Sequence, residues 1–168
     1  MTHPLVLALF DSPAAAATAA TTLHARGVDR ADLSVIARSH DEEVEAAHAL
    51  DATPGVEMED SLPAARLGEL GAHVLAAMAM VMPGVGPVMA AGPLAAEFGE
   101  AAGHAAGSLA DHLERAGLSR TEADTIEAAV EKGSWLIGVH LREGDASATA
   151  GVLESSGATL VRQANWHG

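Results

Sequence analysis

An uncharged stretch from Leu70 to Ala96 is the feature of this sequence that most restricts how the chain can fold. It contains no Asp, Glu, Lys or Arg, although the whole chain of 168 residues carries a net charge of −14. Two apolar arms flank a Pro/Gly corner at residues 82–87, Met-Pro-Gly-Val-Gly-Pro. In water, such a stretch must be buried in the protein's own core, against another subunit or in a lipid surface.

The spacing of small residues predicts that this stretch and the residues after it form a helical hairpin. Small side chains recur every four positions on both arms, which lets two helix backbones approach closely. We expect this contact to build a homo-oligomer, and we favour a dimer. The predicted interface residues are Ala72, Ala76, Met80, Gly99, Gly103 and Gly107.

Membrane insertion of the hairpin is disfavoured by its length and charge. The first arm, residues 70–82, is shorter than the roughly 20 residues needed to span a bilayer. The second arm carries Glu97, Glu100 and Asp111, which would be costly in hydrocarbon. We therefore expect burial against protein, and keep peripheral lipid contact as an alternative.

The two ends of the chain carry similar patterns, each typical of a strand, a helix and a second strand. Residues 5–38 form the first half and residues 134–166 the second. Two such halves predict an α+β fold with a ferredoxin-like, four-stranded antiparallel sheet and helices on one face. The first and third strands are the most apolar, which suits the centre of the sheet, and the second and fourth are expected at its edges. Residues 39–133, an acidic segment followed by the helical hairpin, are then an insertion within a single domain, 1–168.

Local signals predict where several helices begin and end. Ser12 before Pro13 and Ser119 with Glu122 are typical helix starts, as is Asp145. Glycines 27, 133 and 157 are placed to end the helices that follow these starts.

Composition excludes several classes of function. The 23 acidic residues against 9 basic ones argue against binding nucleic acid or anionic lipid, which requires clustered Lys and Arg. With no cysteine, the chain has no disulfide, thiol nucleophile or thiolate metal site. The apolar run at residues 5–10 is short and follows no Lys or Arg, so we interpret it as a strand rather than a signal peptide. We expect a cytoplasmic protein, and the acidic residues between 41 and 60 to form a solvated face.

Histidine and glutamate pairs on the hairpin arms raise a metal-site hypothesis. Each pair is four residues apart on one helical face, so a hairpin could bring the pairs together. The candidate ligands are Glu69, His73, Glu97, Glu100 and His104. Such pairs are also common surface neighbours, so we expect neither a metal nor a cofactor.

No pattern typical of a catalytic site is present. There is no nucleophile elbow and no phosphate-binding glycine loop. Ser34, Ser108 and Ser134 have no base that the sequence places beside them. His140, in the third strand, is expected to face the helices or solvent. We therefore expect a protein that is not an enzyme.

A family resemblance covers most of the chain. Its most specific part is the Pro/Gly corner with the residues that follow it, Met-Pro-Gly-Val-Gly-Pro-Val-Met-Ala-Ala-Gly-Pro-Leu-Ala at residues 82–95. The similarity also includes LSVIAR at 33–38 and GSWLIGVHL at 133–141. The opening VLALFDSPAAAATAATTLHARG extends the similarity. These segments resemble bacterial general-stress and low-temperature-induced proteins, small two-half α/β proteins with a glycine-zipper segment. The first arm has Ala and Met where those proteins carry denser glycine, which counts against lipid insertion.

The resemblance implies a stress-related role and supplies no catalytic residues. We therefore predict a non-enzymatic stress-response protein that acts through oligomerisation or contact with a partner or client protein. The alternatives are a ferredoxin-like module that binds a small ligand or metal, and a stress protein peripherally associated with a membrane.

Overall fold

The computed structural model describes residues 2–38, 78–101, 107–142 and 144–167, and the statements below concern these residues. They form an α+β fold with one antiparallel sheet. The strands are β1 (Thr2–Phe10), β2 (Leu33–Arg38), β3 (Met78–Met82), β4 (Gly86–Ala91), β5 (Trp135–His140) and β6 (Leu160–His167). The α-helices are α1 (Pro13–Ala25), α2 (Pro93–Ala101), α3 (Leu109–Arg115), α4 (Arg120–Glu131) and α5 (Ala146–Ser155), and a short 3₁₀ turn spans Arg30–Asp32.

The sheet has six strands in the order β3-β4-β2-β5-β1-β6, not the four predicted. β1 and β5 lie side by side near the centre, as expected, with Leu7 opposite Gly138. β6 is at one edge. The expectation that β2 occupies the other edge is wrong, because β4 pairs along β2, with Val35 opposite Ala91. Two strands from the presumed insertion therefore extend the sheet.

Helices cover both faces of the sheet, so the prediction of helices on one face is wrong. Alternate residues of β1 belong to two separate cores: Leu5, Leu7 and Leu9 to one, and Val6, Ala8 and Phe10 to the other. The first core includes apolar residues of α2, α3 and α4, and the second those of α1 and α5. The unbroken apolar run of β1 fits this arrangement, because a strand buried on both faces needs apolar side chains at every position.

The predicted helical hairpin is wrong around its corner, where the chain forms a β-hairpin. β3 and β4 pair antiparallel, with Met82 opposite Gly86, and the N–H of Val85 donates to the carbonyl of Met82 at 3.2 Å. Gly84 and Gly86 both have positive φ, which a turn this tight requires. The rest of the predicted first arm, residues 70–77, lies outside the described residues.

The second arm is interrupted by a new helix start. α2 ends at Ala101, and α3 begins at Leu109 with Ser108 as its cap, so Gly107 is not helical.

Ion pairs hold α3 against α4. The guanidinium of Arg120, at the start of α4, contacts the carboxylates of Asp111 at 2.7 Å and Glu114 at 2.9 Å on α3. These contacts lower the pKa of Asp111, with the hydrogen bond from Arg120 as the main cause.

The predicted helix boundaries are confirmed at several termini. The N–H of Ala15 donates to Ser12 Oγ at 3.2 Å at the start of α1. Ser119 and Glu122 form the expected capping box at the start of α4. Asp145 caps α5, and Gly157 follows its end at φ 95°.

Candidate functional site

The five candidate metal ligands lie only partly within the described structure. Glu69, His73 and His104 lie outside it, while Glu97 and Glu100 are on α2. Across the residues that can be described, no three His, Cys, Asp or Glu side chains come together as metal ligands.

The predicted oligomer interface is only partly described, and two of its residues do not lie on helices as expected. Ala72, Ala76 and Gly103 lie outside the described residues, and Gly99 is on α2. Met80 belongs to β3, not to a helix. Gly107 precedes α3, where an added Cβ would meet Asp111 Cβ at 3.1 Å and the Arg115 guanidinium, so it does not continue a stripe of glycines on one helix.

A buried cluster surrounds His140 at one end of the central strands. The ring is 2% exposed, its Nε2 lies 3.0 Å from Ser34 Oγ, and its Nδ1 lies 3.4 Å from His3 Nε2. The indole of Trp166 meets the imidazole edge-on, with ring centroids 5.0 Å apart. Burial lowers the pKa of His140 to about 4, helped by His3 and Arg142, so the ring is neutral near pH 7.

The expectation that Ser34 has no base beside it is wrong, since His140 is within hydrogen-bonding distance. This pair is nevertheless poorly suited to nucleophilic catalysis. Ser34 is completely buried, and its Oγ accepts the N–H of Leu94 at 3.0 Å. A histidine with so low a pKa is also a weak base at neutral pH. Ser34 instead links three elements by holding the first turn of α2 against β2 and β5.

The pattern of the sequence carries part of the signal for the Ser34–His140 contact. Both residues lie on predicted strands, at positions that alternate with the apolar residues Leu33, Val35, Ile137 and Val139. Pairing β2 with β5 places Ser34 opposite Gly138, two residues from His140. What the sequence did not supply is the register.

On the opposite face of the sheet, a cleft of about 670 Å³ lies between the end of α1 and the start of α5. Its apolar floor includes Leu23, Leu141 and Val152, each less than a tenth exposed. The volume falls within the range of small-molecule sites, about 300–1,000 Å³. No pattern in the sequence predicted this cleft, because its walls come from segments more than a hundred residues apart.

Charged side chains line the cleft, and several are already engaged. Arg142 Nε contacts Asp32 Oδ1 at 3.2 Å. Asp145 Oδ1 accepts the N–H groups of Ser147 at 2.8 Å and Ala148 at 3.3 Å. The start of α5 is therefore capped by its own carboxylate and is not open to an external anion.

The outer edge of β3 is a second candidate surface. β3 ends the sheet, and within the described residues no strand pairs with its outer side. Its sequence, Met-Ala-Met-Val-Met, has no charge and no proline. Val81, on this strand, is a large hydrophobic residue that is 71% exposed.

The structure thus defines an α+β protein with a six-stranded antiparallel sheet, a small cleft and an apolar sheet edge. Comparison with protein families, with curated proteins and with solved structures found no match. Among the described helices, none combines the length and apolar character needed to cross a membrane.

Proposed function

We propose that this protein is a non-enzymatic stress-response protein that works as a homodimer, with the two chains joined along the outer edge of β3. The observation that carries the proposal is this apolar edge strand, which lacks a partner strand within the described residues. An edge strand presents a row of backbone N–H and C=O groups, and a second strand satisfies them.

A second copy of the chain is the occupant that fits best. Two β3 strands can pair antiparallel about a two-fold axis, so that each offers the same surface to the other. Such pairing would bring the two Val81 side chains toward one another and remove an exposed apolar group from water. It also uses Met80, which the sequence placed in the interface, although through a strand instead of a helix.

The contrast between the two sheet edges supports this choice. β6, at the opposite edge, carries Arg162, Gln163 and Asn165, and the Arg162 guanidinium contacts Glu122 at 2.9 Å. Charged and polar residues are a common way to protect an edge from pairing. β3 has no such protection, so the apolar edge favours an interface there.

The fold is consistent with a ferredoxin-like unit to which the hairpin has been added. Strands β2, β5, β1 and β6 lie adjacent in the order expected for that arrangement, with α1 and α5 on one face. We propose that β3 and β4 extend this unit toward the dimer partner. The stress-related role and the cytoplasmic location rest on the family resemblance and on the composition of the chain.

The test is a single charged substitution at the edge. Val81→Lys places a cation at an exposed position where pairing would bring two copies together, so we expect the dimer to dissociate to monomers. Light scattering coupled to size exclusion measures the mass. Gln163→Lys, exposed on β6, is the matched control and should remain dimeric.

A monomeric wild-type chain would refute the dimer, as would a Val81→Lys variant that stays dimeric with unchanged affinity. Binding to membranes is measured separately, by flotation with vesicles of a neutral phospholipid. Recovery of the wild-type protein with the vesicles would favour the peripheral membrane alternative. The stress role is tested by transcript levels after heat and oxidant treatment, and levels unchanged by both would refute it.

A further inference from the structure

Three polar groups around the cleft between α1 and α5 have no partner among the described residues. The guanidinium of Arg26 makes no hydrogen bond or ion pair there, and the carboxylate of Asp29 caps no backbone group. The hydroxyl of Thr149 is also unpartnered, although the residue is only 9% exposed. The hydroxyl oxygen itself is not a buried atom, so it is accessible from the cleft and can hydrogen-bond to a bound molecule.

The chemistry of these groups is that of a receptor for opposite charges on one small molecule. A guanidinium is suited to a carboxylate, to which it donates paired hydrogen bonds, and a hydroxyl can add a third donor. A carboxylate such as Asp29 is suited to an ammonium group. The floor formed by Leu23, Leu141 and Val152 accepts an apolar side chain.

The other charges at the cleft do not change this assignment. Asp32 is already paired with Arg142, and Asp145 with the amides at the start of α5. Among the lining residues that the structure describes, one cation, one anion and one hydroxyl remain uncommitted, beside apolar side chains.

We propose that this cleft binds a small zwitterion with an apolar side chain, either a free α-amino acid or a short apolar peptide. Arg26 and Thr149 hold its carboxylate, Asp29 holds its ammonium group, and the side chain lies on Leu23, Leu141 and Val152. The site lies on the face of the sheet covered by α1 and α5 and does not depend on the proposed dimer. The cleft volume, about 670 Å³, exceeds that of a single amino acid and leaves room for a peptide.

The experiment is isothermal titration of the full-length protein with leucine and with the dipeptide Leu-Leu. Two analogues test the charges: leucinamide, which lacks the carboxylate, and 4-methylpentanoate, which lacks the ammonium group. We expect at least one zwitterion to bind and both analogues to bind about tenfold more weakly or worse, since each loses a charge-assisted contact. Tighter binding of Leu-Leu identifies the ligand as a peptide, and tighter binding of leucine identifies it as an amino acid.

Variants of the three groups test the assignment. Arg26→Gln and Asp29→Asn should each weaken binding of the zwitterion about tenfold. Thr149→Val, which has nearly the same shape, should weaken its binding a few-fold. Arg30→Gln, on the neighbouring 3₁₀ turn but outside the cleft lining, is the control and should bind as the wild type does. Amide chemical shifts near Gly27 and Thr149 should move on binding.

The proposal is overturned if neither zwitterion binds at millimolar concentration. It is also overturned if leucine and leucinamide bind equally, or if binding survives both Arg26→Gln and Asp29→Asn. Unfolding curves of each variant, recorded without ligand, distinguish lost binding from lost folding. Arg26 and Asp29 are exposed and Thr149→Val nearly keeps the shape of the side chain, so stability should change little.

Discussion

At the scale of the residue, His140 shows how a polar group can be kept inside this apolar protein. Its two ring nitrogens reach Ser34 on one side and His3 on the other, so neither is left without a contact. Ser34 in turn accepts the N–H of Leu94. Because buried polar groups are costly when unpaired and inexpensive when paired, this chain of contacts makes the histidine tolerable there in its neutral form.

The same burial makes the protein sensitive to acid. The pKa of His140 is lowered to about 4 in the folded protein, so the unfolded chain, with an ordinary histidine pKa near 6.5, binds the proton first. The contribution of the neutral ring to stability is complete above about pH 6.5 and is lost as the pH falls toward 4. The full loss in the free energy of unfolding is roughly 3 kcal/mol.

Urea unfolding at a series of pH values measures this effect. His140→Gln should flatten the dependence between about pH 6.5 and pH 4 relative to the wild type, because the titrating group has been removed. Parallel curves for wild type and His140→Gln would contradict the assignment.

At the scale of the element, the junction between β4 and α2 depends on a glycine. Gly92 adopts φ +84°, and a Cβ there would overlap the backbone of β2 at the carbonyl of Leu33 and the Cα of Ser34. The close approach places α2 directly against the sheet, where the N–H of Leu94 reaches Ser34. This turn therefore positions the whole helix, not only its first residue.

Gly92→Ala should destabilise the fold by more than about 3 kcal/mol, since backbone strain and steric overlap add. Gly157→Ala is the matched control. Gly157 also has a positive φ, 95°, but an added Cβ would meet nothing within 4 Å. Gly157→Ala should lower the free energy of unfolding by only about 1 kcal/mol. Thermal or urea unfolding measures the stability of both variants, and equal losses of stability would mean that the contact with β2 is unimportant.

At the scale of the whole molecule, charge opposes the association that the apolar edge favours. Each chain carries a net charge of −14. Bringing two such chains together costs electrostatic free energy, and salt screens that repulsion over a distance of about 10 Å at 0.1 M. The proposed dimer must therefore be stabilised by strand pairing and apolar contact.

We expect the dimer to tighten as NaCl is raised from roughly 20 mM to roughly 300 mM, where the screening length becomes shorter. Sedimentation equilibrium at both salt concentrations gives the dissociation constant. An interface built on ion pairs would respond in the opposite direction, so a dimer that weakens with salt would argue against the β3 edge.

The sequence by itself determined the elements whose signals are local. The capping residues Ser12, Ser119 and Asp145, together with the short apolar runs, identified three helices and four strands, because caps and side-chain alternation involve residues close together in the chain. The central position of β1 and β5 also followed from their apolar character. The sequence indicated oligomerisation through the uncharged stretch, but placed that contact on helices.

Tertiary structure decided what depends on distant partners. Ala and Met favour helices in isolation, yet residues 78–82 and 86–91 form strands. β2 offers β4 an edge to pair with, and the alternating side chains of β4 reach two cores. Ser34 meets His140 only through the register of β2 and β5. Arg26, Asp29 and Thr149 line one cleft only because α1 and α5 pack on the same face of the sheet. Pairing, register and packing arise between segments far apart in sequence, and a local pattern does not specify them.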